Sequence, residues 1–404
     1  MNYSKEEVLQ YVQEEDVRFI RLTFCDVFGR QKNVSITPDE LPRAFEHGIA
    51  FDASSIAGFG NEDRSDLFLH PDPQTVILLP WRPEHGSVVR MFADITYPDG
   101  TPFECDTRTL LKNAVSTAKE AGYTFAFGIE QEFYLFKLDD EGNPTKIPCD
   151  QAGYMDMAPD DKGENIRREI CVMLEQMGIC PESSHHEDGP GQNEIDFRYS
   201  DALTTADTAQ TFQTAARIVA QQNGFEADFS AKPLDGKPGN GFHINMSVQP
   251  DQDGAAMNAI IAGVLSRIAE MSVFLNPTEN SYKRFGQSRA PLHISWSEEN
   301  RSQLIRIPAA SWPYKRAELR SPDPTVNPYL GLTLMIYAGL EGITEDAVLP
   351  PAVNTNLFTA DKETLEKLDR LPETLLRARK MAVQSDFIKR YIPASIIDIY
   401  CNAQ

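Results

Sequence analysis

Residues 124–138 read TFAFGIEQEFYLFKL. The run is apolar and aromatic enough for a strand, yet Glu130, Gln131 and Glu132 interrupt it. With a period of two, Glu130 and Glu132 take one face while Ile129, Gln131 and Phe133 take the other. Two carboxylates buried together without partners would repel each other or pick up protons, so the pair points to a metal or another bound cation. The ordinary alternative is the solvated face of an edge strand.

Three further segments bear on that choice. SSHHEDGPGQNEIDFRY (183–199) places Glu187 after a His pair, then a Gly/Pro turn, then Glu194 at the opening of another strand. Carboxylates at a turn and at a strand start can converge on one hard cation, which prefers oxygen ligands. His185 and His186 read more readily as packing or hydrogen-bonding residues. GKPGNGFHINMS (236–247) sets His243 at the start of a strand behind a glycine loop, and KRAELRSPDP (315–324) sets Glu318 between Arg316 and Arg320 on one face. By itself the last is a salt-bridged strand face. Arg284, Arg301, Arg306, Arg316 and Arg320 crowd one stretch of an otherwise acidic chain. Guanidinium forks suit carboxylate and phosphoryl oxygens, and acids upstream with arginines downstream form the layout of phosphoryl transfer.

Around these segments, helical periods (108–122, 165–178, 205–224) alternate with strand-like runs (193–201, 241–249, 302–308, 316–322), and the C-terminal third is helical (328–343, 362–384). The first hundred residues open with a helical pattern from Ser4 to Glu15 and continue through β-rich runs at 17–30 and 75–81. A boundary near residue 100 separates a small α+β unit from a larger α+β domain with a mainly antiparallel sheet. No G-x-G-x-x-G follows a strand, which argues against a doubly wound fold. Among 404 residues, 38 Lys and Arg face 60 Asp and Glu, a net charge of −22. That field disfavours nucleic acid and anionic membranes. The start is too charged for a signal peptide and no run reads as a membrane span, so a cytoplasmic protein is expected. The six cysteines are scattered without a C-x-x-C pair and read as reduced thiols.

Taken together, GIEQEFYLF, HHEDGPGQNEIDF, GNGFHINMS, NPTENSYKR, NRSQLIRIP, RAELRSPDPTVNPYL and FDASSI resemble, in order, the successive signatures of the glutamine synthetase family. The resemblance implies an α+β fold: a small N-terminal β-grasp-like domain (1–100) and a catalytic domain (101–404) with a curved, mainly antiparallel sheet. It also implies active sites between subunits of hexameric rings, single or stacked. Glu132, Glu187 and Glu194 match the ligands of one divalent metal, and Glu130, His243 and Glu318 those of a second, Mg²⁺ or Mn²⁺. Arg284 and Arg320, with Gly239, match glutamate-gripping positions, and Arg301 the arginine facing the transferred phosphoryl group. Arg306, Arg316, Ser247 and Tyr199 match the ATP side. Asp52 matches an aspartate donated by a neighbouring subunit to bind and deprotonate ammonium, with Tyr154 and Ser55 in the same pocket. The implied reaction is glutamine biosynthesis: ATP phosphorylates the side-chain carboxylate of glutamate, and ammonia displaces phosphate.

Three departures stand out. Where the family carries a flap reading roughly P-G-Y-E-A-P, this chain has Phe285, Gly286, Gln287, Ser288, Arg289, Ala290 and Pro291, with Arg289 at the glutamate position. The family's Asn before the loop glycine is replaced by Pro238. The chain ends early, and Phe358 stands where some members carry a modifiable Tyr. The metal side is kept and the acceptor side altered, so a γ-glutamyl ligase using a different amine or a related acid is the alternative. A non-catalytic ring-forming relative is the third reading.

Overall fold

The structure, a computed structural model, describes residues 3–60, 64–81, 86–251, 253–287, 289–309 and 315–402. The opening helical pattern forms the helix Lys5–Glu14, started by a capping box in which Ser4 and Glu7 satisfy each other's backbone N–H groups. Behind it, β1 (Val17–Cys25), β2 (Gln31–Ile36), β3 (Ile49–Asp52), β4 (Asp66–Pro71), β5 (Ile77–Leu78) and β6 (Ser87–Thr96) build a six-stranded sheet ordered β2-β1-β6-β4-β3, with β5 on β6. Only β1 and β6 run parallel. The apolar run at 75–81 yields just the two residues of β5, because Pro80 has no N–H to continue a ladder.

The second sheet is the one the quoted stretch governs. It contains β7 (Thr124–Leu138), β8 (Pro144–Pro148), β9 (Pro181–His186), β10 (Gln192–Phe197), β11 (Ser200–Asp201), β12 (Phe225–Asp228), β13 (Phe242–Gln249), β14 (Trp296–Glu298), β15 (Ile305–Ile307) and β16 (Ala317–Leu319). Its order is β14-β15-β16-β13-β7-β10-β9, with β8, β11 and β12 also pairing with β7. All pairings are antiparallel except β14 with β15. β7 is therefore an interior strand, which removes the edge-strand reading of its glutamates.

Helices Thr107–Glu120, Glu164–Gln176, Ala202–Gln222 and Pro328–Thr344 follow the periodic segments, three of them started by side-chain caps at Asp106, Asp201 and Asn327. Periodicity did not mark out Ala255–Leu275, a helix apolar on nearly every side. It is long and apolar enough to cross a membrane by composition, contrary to the sequence expectation, but 67% of its most apolar window is buried inside the protein. It packs on Pro328–Thr344 at a crossing where a Cβ on Gly263 would lie 2.2 Å from the Ala338 carbonyl and one on Gly342 2.1 Å from that of Ala259. The expected continuous helix at 362–384 is instead two, Lys362–Glu366 and Leu375–Gln384, parted at Pro372. The N-terminal sheet is tied to the helices of the rest of the chain through buried Arg108, which pairs with Asp72, Asp94 and Asp207, and through Tyr400 on helix Ala394–Asn402, whose hydroxyl donates to the Val27 carbonyl at 2.9 Å.

Candidate active site

Strand register assembles the site. Opposite β7, β13 sets His243 against Glu130, and β10 sets Glu194 against Glu132 and Asp196 against Glu130. β16 sets Glu318 against Asn245 on one side and Arg306 on the other. Glu187 lies in the turn between β9 and β10, its N–H donating to the Gln192 carbonyl at 2.8 Å. Ligand-capable atoms of Glu130, His243 and Glu318 lie within 4.8 Å of one another, and so do those of His185, Glu187 and Glu194. Glu132 stands between the groups. Its Oε1 is 3.9 Å from His243 Nε2, and its Oε2 accepts from the Gln192 amide and the Gly241 N–H, both at 2.9 Å. Gln131 points to the opposite face, fully buried, where its carbonyl accepts from Gln213 at 3.1 Å and its amide donates to the Ala209 carbonyl at 3.4 Å, both on helix Ala202–Gln222.

Burial of so many acids shapes their protonation. Glu194 is pushed well up by burial and by Asp196, Glu130, Glu132 and Glu187 around it; Glu132 is pushed up by burial and by Glu187. Glu130 goes the other way: burial opposes its charge, but hydrogen bonds from His243 and Asn245 and the field of Arg320 outweigh it, holding it to about 2. Such a set, rich in oxygen donors and carrying an imidazole, fits divalent cations of the hard class. A cation would relieve the repulsion that raises Glu194 and Glu132.

The arginines complete the cavity, which is lined by Glu130, Glu132, Glu187, Glu194 and His243 and also by Arg284, Arg301 and Arg320. Arg284 donates to the carbonyls of Ser321 and Pro322, at 2.9 and 3.3 Å, while its Nε and that of Arg320 are buried without partners. Gly239 and Pro238 also line it, and a Cβ on Gly239 would lie 2.5 Å from Arg284 Cγ, so only glycine lets that arginine pass. Arg306 and Arg320, which the family resemblance places on the nucleotide and amino-acid sides, both pair with the fully buried Glu318, Arg306 at 2.8 Å. Arg316 bonds to Asn245 at 3.0 Å.

Above the cavity, Arg289 has a left-handed backbone (φ 67°), its Nε lies 2.9 Å from Asp188 and its guanidinium carbon 4.6 Å from the centre of the Tyr154 ring. Ser288, beside it, lies outside the described residues. Tyr154 in turn meets His185 edge-on at 5.5 Å. Asp52, Ser55, Tyr199 and Ser247 do not line this cavity. Asp52 ends β3 on the N-terminal sheet, exposed, accepting from the Ser54 N–H at 2.9 Å.

Four participants escaped the sequence reading: His185, Asp188, Gln192 and Asp196. The signal for Asp196 was present, since it lies two residues beyond Glu194 on the same strand face. His186 acts underneath. Its two nitrogens face the Glu187 carbonyl at 2.7 Å and Asp150 at 3.0 Å; burial opposes the charged ring, but these two acceptors outweigh it and raise the pKa of His186. Asp150, Asp161 and His186 also cluster, yet Asp161 is gripped by Arg167 and Asp150 accepts from Gly191 and Lys162 N–H groups, so the group is a buried hydrogen-bond network.

The sequence matches the glutamine synthetase β-grasp domain over residues 16–98 and the glutamine synthetase catalytic domain over 104–404. The chain belongs to the glutamine synthetase family. Relatives named glutamine synthetase include one from Clostridium saccharobutylicum, 43% identical with 96% of this chain and 91% of that protein covered. Another, from Methanosarcina mazei, is 43% identical with 99% and 93% covered. Among solved structures, GmaS in complex with ADP superposes with a TM-score of 0.88 at 26% identity, covering 99% of this chain and 94% of that one. The β-grasp unit and the ten-stranded sheet described above are thus those of a glutamine synthetase family member.

Proposed function

We propose that this chain, a ligase of the glutamine synthetase family, forms an amide from glutamate and ammonia through γ-glutamyl phosphate, consuming ATP and releasing ADP and phosphate. The observation that carries the reading is the convergence of Glu130, Glu132, Glu187, Glu194 and His243 with Arg284, Arg301 and Arg320 on one cavity, beside which Glu318 and His185 complete two clusters of ligand atoms. Glu132, Glu187 and Glu194 hold one divalent cation and Glu130, His243 and Glu318 another, with Mg²⁺ or Mn²⁺ as the ion. When bound, the cations neutralise charge on the phosphates during transfer. Arg284, Arg320 and Gly239 orient glutamate, and Arg301 faces the transferred phosphoryl group, where a guanidinium matches the developing charge. Arg306, Arg316, Ser247 and Tyr199 serve the nucleotide. Asp52 lies on the other sheet and away from the cavity of its own chain, which fits its donation to a neighbouring site in a hexameric ring; there, with Tyr154 and Ser55, it takes a proton from ammonium so that nitrogen can attack.

A second reading concerns the amine. Arg289 at the mouth of the cavity cannot serve as a base and repels a cation, which favours a neutral or larger amine as acceptor. Both readings are tested by supplying purified protein with ATP, Mg²⁺ and glutamate and scoring phosphate release with ammonium and with a panel of primary amines. Release with ammonium supports the first reading; release with organic amines alone replaces it with the second; no release under any condition overturns both.

A further inference from the structure

Four arginines line the catalytic cavity, and the proposed reaction uses Arg284 and Arg320 on glutamate and Arg301 on the phosphoryl group. Arg289 is left over. The turn that carries it is held by its own backbone: the Gly286 N–H donates to the Ala290 carbonyl at 3.0 Å and the Ala290 N–H to the Gln287 carbonyl at 2.9 Å. Arg320 Nη2 also donates to the Arg289 carbonyl at 3.4 Å, which ties the turn to the glutamate side of the cavity. The guanidinium itself is fixed on one edge and one face. Its Nε lies 2.9 Å from one Asp188 oxygen, its Nη2 donates to the other at 3.3 Å, and its central carbon sits 4.6 Å from the centre of the Tyr154 ring. Arginine has more N–H donors than one carboxylate can use. Nη1 has no partner among the described residues, and 39% of the side chain is exposed at the mouth. Among the described residues lining the cavity, Asp188 is the only carboxylate outside the two proposed ligand sets, so the mouth holds no second acid to take those donors. A guanidinium held in place with donors to spare suits a carboxylate brought in from outside.

We propose that Arg289 selects an acceptor amine that carries its own carboxylate, an amino acid, by pairing with that carboxylate while the amine nitrogen enters the cavity. The inference rests on the second reading above, in which an organic amine is the acceptor. Ammonium and simple alkylammonium ions meet only repulsion from this guanidinium, whereas the carboxylate of a zwitterion offsets the repulsion felt by its ammonium end. In the reaction the amino group first gives up a proton, and its lone pair attacks the γ-carbonyl carbon of γ-glutamyl phosphate. The C–N bond forms, the C–O bond to phosphate breaks, and the electron pair of that bond leaves on phosphate. The nitrogen loses a second proton; one of the two ends on the departing phosphate and the other in water. The product is a γ-glutamyl dipeptide.

The test supplies the full-length protein with ATP, Mg²⁺ and saturating glutamate and measures phosphate release and product mass for amines that differ only by a carboxylate. The pairs are glycine with methylamine, β-alanine with ethylamine and 4-aminobutyrate with propylamine, which also vary the span between nitrogen and carboxylate. At least one carboxylated amine is expected to exceed its plain partner in kcat/KM by about tenfold or more, with the γ-glutamyl dipeptide as product. Arg289→Gln should bring that ratio to within about twofold of unity, and Arg289→Lys, which keeps the charge and loses the fork, should fall between. The wild-type comparison needs no variant, so a misfolded variant leaves it standing. Plain amines used as well as or better than their carboxylated partners overturn the inference and leave the second reading intact. Release with ammonium alone removes both. A carboxylate preference unchanged in Arg289→Gln also overturns the inference, because the selecting cation would lie elsewhere.

Discussion

The floor and the mouth of the catalytic cavity are built on different terms. On the floor, each acid is fixed by strand register and second contacts: Glu130 by His243 and Asn245, Glu132 by Gln192 and Gly241, Glu318 by two arginines. At the mouth, Arg289 sits on a short turn and is held by one ion pair and one ring, its side chain 39% exposed. Moving a floor residue disturbs a ladder, whereas exchanging a mouth residue disturbs only a loop. That contrast fits the sequence resemblance, which matches the six proposed floor ligands to the family pattern and places its charge reversal at Arg289 in the flap.

If the floor is the indispensable part, Glu132→Gln lowers phosphate release at least about a hundredfold with the far-UV circular dichroism unchanged. Wild-type turnover in that variant would dissolve the distinction. Next in size, His186→Ala takes the imidazole away from the Glu187 carbonyl and from Asp150, which keeps its backbone donors Gly191 and Lys162, and opens a gap deep under the floor. It is expected to cost about 3 kcal/mol of stability in urea unfolding and to weaken Mn²⁺ binding; a loss of stability without weaker Mn²⁺ binding would confine His186 to packing. Acidity gives a third handle. Because Glu132 and Glu194 have raised pKa values, the metal-free fold binds protons there more readily than the unfolded chain does, so these two groups cost stability as pH climbs past the ordinary carboxylate range. A bound cation must displace those protons. Mn²⁺ affinity by calorimetry should therefore fall as pH drops, by up to about tenfold per pH unit for each proton released. An affinity flat across the mildly acidic range would argue that the acids are already ionised.

The smallest effect belongs to the mouth. Arg289→Gln, which removes a cation from the mouth, should lower the apparent KM for ammonium by about two- to fivefold, and Asp188→Asn, which leaves that cation uncompensated, should raise it by a similar factor; the double variant should resemble Arg289→Gln alone, since a partly exposed pair couples by about 0.5–1 kcal/mol. High salt should erase the difference. Fully additive effects would show that the two side chains act separately.

The same division governs what could be read from sequence. β7 was legible to its end residues because aromatic density and a two-residue period coincide there, and the facing of Glu130 and Glu132 followed from the pleat alone. Helix starts were read to within a residue at Lys5, Thr107 and Pro328, behind caps at Ser4, Asp106 and Asn327, but the start behind Asp201 was placed three residues late and the short helix behind Ser385 was not read. What depends on pairing between distant strands was not: nothing local says that Asp196 lies opposite Glu130 or that Arg306 reaches Glu318 before any nucleotide. The helix Ala255–Leu275 was missed because a segment buried on all sides has no polar stripe to reveal its period. The ion pair of Arg289 with Asp188 was equally invisible, since about a hundred residues separate two loop positions whose contact depends on how the flap folds over.

Gln131 has a consequence for metal spacing. Glu130 and Glu132 are separated by two strand steps, roughly 6.6–6.8 Å along the backbone. Gln131, clasped from behind by helix Ala202–Gln222, prevents the strand from rolling about its axis to lengthen or shorten that span. The two glutamates thus serve as adjacent marks on a fixed gauge, and the gauge is the peptide backbone. Swapping a ligand side chain should change how tightly a cation is held well before it changes how far apart two cations sit.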